Sequence, residues 1–179
     1  PELDERAFLR LARVLEHAAG FSVTDDARAR FQARLLPRLE ASKLGSFSEY
    51  VDLLQAPRGR DELQRALELV TVHETYFFRE RAQLDAFRHE VLPPMVAAGG
   101  AIRVWSAGTS TGEEAYTLAM LCEDAGARSF EVVGTDLSAP VLETARQGRY
   151  PPKSFRAEIE RALRQRWFTY ELHGVAVHP

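Results

Sequence analysis

Apolar residues recur at helical spacing through the first part of the chain. Phe8, Leu11 and Leu15 lie three and four positions apart, which predicts a helix that Gly20 ends. The same spacing predicts three further helices, whose apolar positions are Phe31, Leu35, Leu39, Tyr50, Val51, Leu53, Leu54, Leu63, Ala66, Leu67 and Val70. Residues 1–72 are therefore predicted to form an all-helical domain.

Local signals place the ends of these helices. Thr24 is expected to cap the second helix, and Pro37 to kink it or force a restart, because proline lacks the N–H that a helix interior needs. The stretch "SFSE", Ser46–Glu49, is a capping box that predicts the start of the third helix. The stretch "APRG" separates the third helix from the fourth.

The pattern changes after residue 72. A helix with Leu84, Phe87 and Val91 on its apolar side is expected to end at Pro93–Pro94. The stretch "AIRVWSA", residues 101–107, is apolar enough to predict a buried strand. This alternation of helix and strand is typical of an α/β fold.

A glycine-containing turn, Gly108–Gly112, connects the first strand to a helix that begins at Glu113. A second strand, "FEVVGT", ends just before Asp136, and the helix after it is expected to begin at Ser138. Strand, glycine turn and helix form the first unit of a nucleotide-binding fold, in which an acid after the second strand binds ribose hydroxyls. Gly108 is therefore a candidate cofactor-binding position, because its backbone can approach a ligand closely.

Two acids, Glu113 and Glu114, stand where a dinucleotide would place its pyrophosphate. They disfavour phosphate and favour a cation, although both also complement the positive end of a helix. S-adenosylmethionine carries a sulfonium, an ammonium and a ribose but no phosphate, so the residues favour it over a nicotinamide dinucleotide. A nicotinamide oxidoreductase remains a distinct alternative.

Composition narrows the possible functions. A net charge of −3 excludes nucleic-acid binding through bulk positive charge. Cys122 is the single cysteine, so no disulfide framework and no thiolate metal cluster is expected, and no metal site is predicted. No apolar run has the length of a membrane span, and we expect a cytoplasmic protein without membrane insertion.

Three arginines of the second helix, Arg30, Arg34 and Arg38, lie four residues apart and share one side of that helix. Such a series is usually a solvated helix face. The more specific hypothesis is a partner-binding stripe that docks an acidic helix.

Three segments in this order and spacing, "TVHETYFFRE", "RVWSAGTSTGEEAYTLAM" and "GTDLSAPVLETARQGRY", resemble the CheR family of chemotaxis receptor methyltransferases. The helical segment "SFSEYVDLL" is similar to that family's N-terminal domain. The resemblance implies an α/β protein with a helical receptor-recognition domain, residues 1–72, and a partial Rossmann-like methyltransferase domain, residues 73–179. It implies transfer of a methyl group from S-adenosylmethionine to glutamate side chains on the cytoplasmic helical domain of chemoreceptors, with S-adenosylhomocysteine as the second product.

The resemblance also implies roles for particular residues. Thr75 and Arg79 would contact the cofactor, with Arg79 a fixed cation near the reaction centre and the candidate catalytic residue. Glu114 would bind the amino end of the cofactor's methionine part, and Asp136 its ribose. His73 stands where the family commonly has asparagine, and it is included as a candidate cofactor-binding residue.

The chain also departs from the family pattern. It shows two convincing strands, and "YELHGVAVHP" is expected to supply a third extended piece. Later cofactor elements of the family are absent, so we expect part of a methyltransferase domain whose open strand edges favour a homo-oligomer, with the sheet completed across a two-fold axis or by exchange of "GVAVHP". The alternative function is a non-catalytic CheR-like module that binds signalling partners.

Overall fold

The structure is a computed structural model that describes residues 1–156, 165–171 and 174–177. The chain forms two compact units, Pro1–Val72 and His73–Pro179. The first unit is helical throughout, and the second combines helices with two small sheets. This arrangement confirms the predicted fold class.

The first unit packs amphipathic helices around one apolar core. Leu11, Leu15, Leu35, Leu39 and Tyr50 are completely buried in it. Burial of each leucine contributes roughly 1.5–3 kcal/mol to the stability of the fold. Short helices need this contribution because they are only marginally stable in isolation. The helices are α1 (Glu5–Ala19), α2 (Ala27–Ala41), α3 (Phe47–Gln55) and α4 (Arg60–Val70), with a 3₁₀ turn at Pro57–Gly59.

The predicted ends of α1 and α3 are confirmed by their hydrogen bonds. Gly20 ends α1 in the left-handed conformation, with φ +73°. The Ser46 hydroxyl accepts the Glu49 N–H at 3.2 Å. The Glu49 carboxylate in turn accepts the Gly45 N–H at 2.8 Å, one residue before the position that a capping box usually serves.

One expectation for α2 is wrong, and of the kink or restart expected at Pro37 the restart is absent. The helix begins at Ala27, and the Thr24 carbonyl accepts the Ala27 N–H at 3.0 Å, so Thr24 forms the preceding turn instead of the cap. Pro37 lies inside one uninterrupted helix and forces no restart. One missing N–H is tolerated there because Phe31, Leu35 and Leu39 hold the helix in the core.

The second unit begins with an irregular segment followed by a helical region in three parts, α5 (Arg81–Ala86), a π-helical turn (Phe87–Val91) and α6 (Leu92–Ala97). The helix was expected to end at Pro93–Pro94, and this is wrong. Both prolines lie in the first turn of α6, directly after the wider π turn, where a missing N–H costs little.

The remaining elements are β1 (Ile102–Ala107), α7 (Glu113–Asp124), β2 (Phe130–Thr135), α8 (Ala139–Gln147), β3 (Arg149–Tyr150), a 3₁₀ turn (Pro152–Ser154), β4 (Phe168–Glu171) and β5 (Gly174–Val177). Strands β1 and β2 pair in parallel. Ser138 occupies the cap position of α8, but its side chain makes no capping hydrogen bond. Gly148 ends α8 as expected, with φ +60°.

Strand β1 is covered on one face only, so the expectation of a fully buried strand is wrong. Ile102 packs against Leu121 and Cys122 of α7. On the opposite face Trp105 is 70% exposed and stands beside Val133, its register partner on β2. The described residues therefore leave one apolar face of the parallel sheet open.

A second, three-stranded antiparallel sheet has the order β3-β5-β4. The expected extended piece near the C-terminus forms part of β4 and all of β5, yet it pairs within this separate sheet and does not extend β1 and β2. The sequence also predicts a helix at residues 156–167, and this helix falls largely outside the described residues. Among the described helices, none combines the length and apolarity that crossing a bilayer requires.

Candidate functional site

The carboxyl ends of β1 and β2 meet at one edge of the parallel sheet, because Ala107 and Thr135 are register partners. The turn Gly108–Gly112 folds back over this edge. The N–H groups of Gly108 and Thr109 both donate to the Thr135 carbonyl, at 2.8 and 2.9 Å. Gly108 has φ +74°, and a Cβ added there would meet no atom within 4 Å, so its backbone borders open space.

Asp136 directly follows β2 and is fixed at this edge by two backbone groups. One carboxylate oxygen accepts the Ser110 N–H at 2.8 Å. The other oxygen accepts the Ser138 N–H at 2.9 Å. Each oxygen of an ionised carboxylate can accept about two hydrogen bonds, so the half-buried Asp136 keeps capacity for the hydroxyl groups of a ribose.

Glu114 reaches the same edge from the first turn of α7. Its carboxylate accepts the hydroxyl hydrogen bond of Ser106, at 2.7 Å. Ser106 is completely buried in β1, whereas Glu114 is exposed. An exposed carboxylate that Ser106 orients, two residues after the turn Gly108–Gly112, is suited to bind an ammonium group.

Glu113 is separated from Glu114 although the two are adjacent in sequence. It is only 2% exposed, and its carboxylate accepts hydrogen bonds from the hydroxyls of Thr111, at 2.6 Å, and Ser154, at 2.9 Å. The sequence-based interpretation of two acids jointly facing a cation is thus corrected, since Glu113 points into the protein. Burial, and then the Glu113 carboxylate, raise the pKa of Tyr150.

Two buried hydroxyl oxygens in the turn, Thr109 Oγ1 and Ser110 Oγ, have no hydrogen-bond partner among the described residues. Ser110 also has a positive φ of 52°, which is uncommon for a residue with a side chain. An unsatisfied buried hydroxyl costs about 1–3 kcal/mol, so such groups are typical of a ligand-binding turn. Sequence reasoning overlooked both residues, although the polar run "GTSTG" was a signal.

The segment His73–Glu80 is held by Phe77. This ring is completely buried and contacts the rings of Tyr150, Phe155 and Phe168, with centroids 4.8, 5.0 and 4.9 Å away. The Phe77 N–H also donates to the Ser154 carbonyl at 2.9 Å. The aromatic residues of this segment therefore anchor it within the second unit.

Arg79 is exposed, and its known contacts are local. It donates to the Glu74 carbonyl, and its guanidinium lies 5.9 Å from the centre of the Tyr76 ring. The Glu74 side chain pairs with Arg156, whose hydrogen bond lowers the pKa of Glu74. The other two candidates of this segment, His73 and Thr75, are half-buried.

The three arginines predicted as a docking stripe differ in their surroundings. Arg38 bonds Glu62 through two guanidinium nitrogens, at 2.9 and 2.5 Å, while Arg30 is exposed beside the Phe31 ring. Arg34 donates to three carbonyl groups at the end of α4, those of Leu69, Val70 and Thr71. Partner docking by the stripe stays a prediction, and intradomain bonds account for two of its members.

The described ranges contain no candidate metal-binding site. They contain no cluster of three or more histidine, cysteine or acidic side chains placed to bind a metal ion.

A parallel sheet with carboxylates and a glycine turn at its carboxyl edge defines a Rossmann-like nucleotide-cofactor domain, and the comparisons identify its class. The model of the family described as "CheR methyltransferase, SAM binding domain" matches residues 73–177. The model described as "CheR methyltransferase, all-alpha domain" matches residues 6–71. The chain belongs to the CheR methyltransferase family, which confirms the resemblance and identifies S-adenosylmethionine as the cofactor of the second domain.

Curated relatives agree with this assignment. A chemotaxis protein methyltransferase of Listeria monocytogenes is 31% identical over 178 residues, covering 96% of this chain and 67% of the relative. One of Salmonella typhimurium is 31% identical over 179 residues, covering 98% of this chain and 59% of the relative. One of Borreliella burgdorferi is 30% identical over 152 residues, covering 79% of this chain and 54% of the relative. The chain thus spans roughly half to two thirds of the length of these relatives.

Proposed function

We propose that this chain carries the helical recognition domain and the first half of the cofactor site of a protein-glutamate O-methyltransferase acting on chemoreceptors. The observation that supports it most is the placement of Glu114 and Asp136 around the turn Gly108–Gly112 at one sheet edge. The cofactor fits these residues because they present carboxylates, open backbone at Gly108 and unpartnered hydroxyls.

Each residue has a distinct binding task in this proposal. Glu114 holds the ammonium of the methionine part by a charge-assisted hydrogen bond. Asp136 accepts the ribose hydroxyls with the capacity that Ser110 and Ser138 leave. Thr75, and His73 in the position of the family's asparagine, complete the contacts from the segment before α5.

The chemistry demands positioning more than proton transfer. A glutamate carboxylate is already ionised near neutral pH, so its oxygen attacks without a general base. Bound S-adenosylmethionine supplies an electrophilic methyl group, and the products are a glutamate methyl ester and S-adenosylhomocysteine. The protein aligns the substrate oxygen and keeps water away, which is effective because an anion attacking a cation disperses charge.

Arg79 orients the substrate carboxylate. A guanidinium presents paired N–H donors that match the two oxygens of a carboxylate. Arg79 orients the carboxylate without binding it strongly, because strong binding would reduce the nucleophilicity of the attacking oxygen. Its bond to the Glu74 carbonyl and its position beside Tyr76 restrict the side chain to one region.

The experiment is methyl transfer from labelled S-adenosylmethionine to a chemoreceptor cytoplasmic fragment, scored as base-labile methyl ester. Arg79→Ala should lower the rate roughly 10- to 150-fold, since a charge-assisted hydrogen bond contributes about 1.5–3 kcal/mol. Arg103→Ala is the matched control, because Arg103 pairs with Glu131 on the open face of the sheet. Cofactor binding without any ester formation would favour the non-catalytic binding module instead.

A further inference from the structure

Glu113 is a buried acid for which the proposed chemistry has no task. Its neighbour Glu114 is exposed at the sheet edge, whereas Glu113 is 2% exposed. Interaction with the helix dipole alone does not explain this, because a first-turn acid gains that interaction while still in water. A buried carboxylate is costly unless it is well hydrogen-bonded, so its particular partners identify its role.

The carboxylate of Glu113 joins two segments that are distant in sequence. Thr111, whose hydroxyl donates to it at 2.6 Å, belongs to the cofactor-binding turn. Ser154, whose hydroxyl donates at 2.9 Å, uses its own carbonyl to accept the Phe77 N–H at 2.9 Å. One carboxylate therefore lies between the turn and the backbone of the segment His73–Glu80.

The backbone of Glu113 makes a second connection to that segment. Its carbonyl accepts the Thr117 hydroxyl at 2.7 Å. The same hydroxyl oxygen accepts the Phe78 N–H at 3.3 Å. The amides of both phenylalanines are thus linked to one residue of α7.

The linked segment is strained next to Arg79. Phe78 and Glu80, the residues on either side of Arg79, have φ values of 58° and 56°. A bulky residue in this region is an outlier that persists only where its surroundings impose it, and such outliers cluster at functional sites. The bonds to the amides of Phe77 and Phe78 fix the backbone directly before Arg79.

We propose that Glu113 is a positioning residue that couples the cofactor-binding turn to the segment carrying Thr75 and Arg79. This inference rests on the proposed function, because it assigns the turn to the cofactor and Arg79 to the substrate. Glu113 acts through its hydrogen bonds with Ser154 and Thr117. When a ligand restricts the turn, these bonds also restrict the strained backbone around Arg79.

The test is amide hydrogen exchange at Phe77 and Phe78, with and without S-adenosylhomocysteine. In the unaltered protein the ligand should slow exchange at both amides. Thr117→Val removes the hydroxyl while keeping the shape, and it should accelerate ligand-free exchange at Phe78 about tenfold. Its matched control is Thr144→Val, because the Thr144 hydroxyl donates to the carbonyl of Pro140 four residues earlier in its own helix, α8.

Variants of the carboxylate complete the design. Glu113→Ala should accelerate exchange at Phe77 and abolish the ligand-induced slowing, and Glu113→Gln should restore part of it, because an amide can still accept a hydroxyl hydrogen bond. If Glu113→Ala does not fold, Ser154→Ala tests the same link at Phe77. Unchanged exchange at both amides, or an equal acceleration across all of α7, would overturn the proposal.

Failure of this inference is distinguishable from failure of the proposed function. If the unaltered protein does not bind S-adenosylhomocysteine, the cofactor assignment is wrong. The ligand-free exchange rates still decide whether Glu113 holds the segment. If the ligand binds but exchange at Phe77 and Phe78 does not respond to it, the cofactor site stands and the coupling is refuted.

Discussion

Phe77→Ala should destabilise the second unit strongly, because this ring is the centre of the cluster that anchors the segment before α5. The side chain is completely buried and touches three rings at about the same distance. Truncating a buried phenylalanine costs about 3–5 kcal/mol, and each aromatic pair adds ~0.5–1.5 kcal/mol beyond the buried area. We therefore expect the upper part of the first range.

Tryptophan fluorescence during urea unfolding measures this effect in the correct unit. The chain has two tryptophans, Trp105 and Trp167, and both lie in His73–Pro179. With a urea slope of about 1–2 kcal/mol per M, a loss of ~4 kcal/mol lowers the midpoint by roughly 2–4 M.

Two further variants separate ring contacts from apolar burial. Phe77→Leu keeps most of the buried volume and should lose only the contribution of its three ring pairs, about 1.5–4.5 kcal/mol. Tyr170→Ala removes an aromatic ring that is 61% exposed and should change stability by less than about 0.5 kcal/mol. A loss below ~1 kcal/mol in Phe77→Ala would refute the anchoring role of this ring.

Three other predictions concern the helical domain and the open sheet. Burial opposes ionisation of Glu62, but hydrogen bonds from Arg38 and Tyr50 outweigh burial and lower the pKa of Glu62 below the ordinary 4.5. The ionised carboxylate therefore stabilises the fold fully above pH 4.5. This stabilisation is lost as the pH falls through the lowered pKa. Glu62→Gln should lower the free energy of unfolding by ~1.5–3 kcal/mol at pH 7 and should reduce the loss of stability at acid pH, measured by denaturation at several pH values. An unchanged pH dependence would argue against the bonds of Glu62 to Arg38 and Tyr50. In salt-dependent receptor binding, Arg30→Glu should slow association at low salt while Arg34→Glu should also destabilise the domain, and indifference to mutation and salt would leave a solvated face. Light scattering should show self-association through the open face of β1 and β2, and Trp105→Lys should reduce it, whereas a monodisperse monomer of the unaltered chain would contradict the predicted homo-oligomer.

Local sequence patterns predicted the helical domain because the apolar spacing and the caps that mark each helix lie within or next to it, although the shared core stabilises all four. The apolar spacing around Leu11 and Leu35 and the capping box at Ser46 determine helix position within a few residues. The absence of a restart at Pro37 and the error at Pro93 share one cause. Proline predicts a break only where packing and helix geometry do not compensate, and neither is visible in the local sequence.

The candidate site was predictable in part. Glu114 and Asp136 follow from strand and turn order, because parallel strands bring their carboxyl ends to one edge. The spacing of Glu113 and Glu114 did not predict their different environments, and only the family resemblance singled out Glu114. The difference depends on Ser154, which is distant in sequence and donates to Glu113. The separate antiparallel sheet was missed because the two-residue β3 carries too little periodicity to detect.

Calorimetric titration of the chain with S-adenosylhomocysteine tests the central claim, that the sheet edge holding Glu114 and Asp136 is the cofactor site. The account predicts binding that Asp136→Ala weakens about 10- to 150-fold, since a charge-assisted hydrogen bond contributes ~1.5–3 kcal/mol, and Glu114→Gln should weaken the affinity by a similar factor. Asp85→Ala, which removes an exposed acid on α5, should bind as the unaltered chain does. Equal affinity in Asp136→Ala and Asp85→Ala would contradict the account.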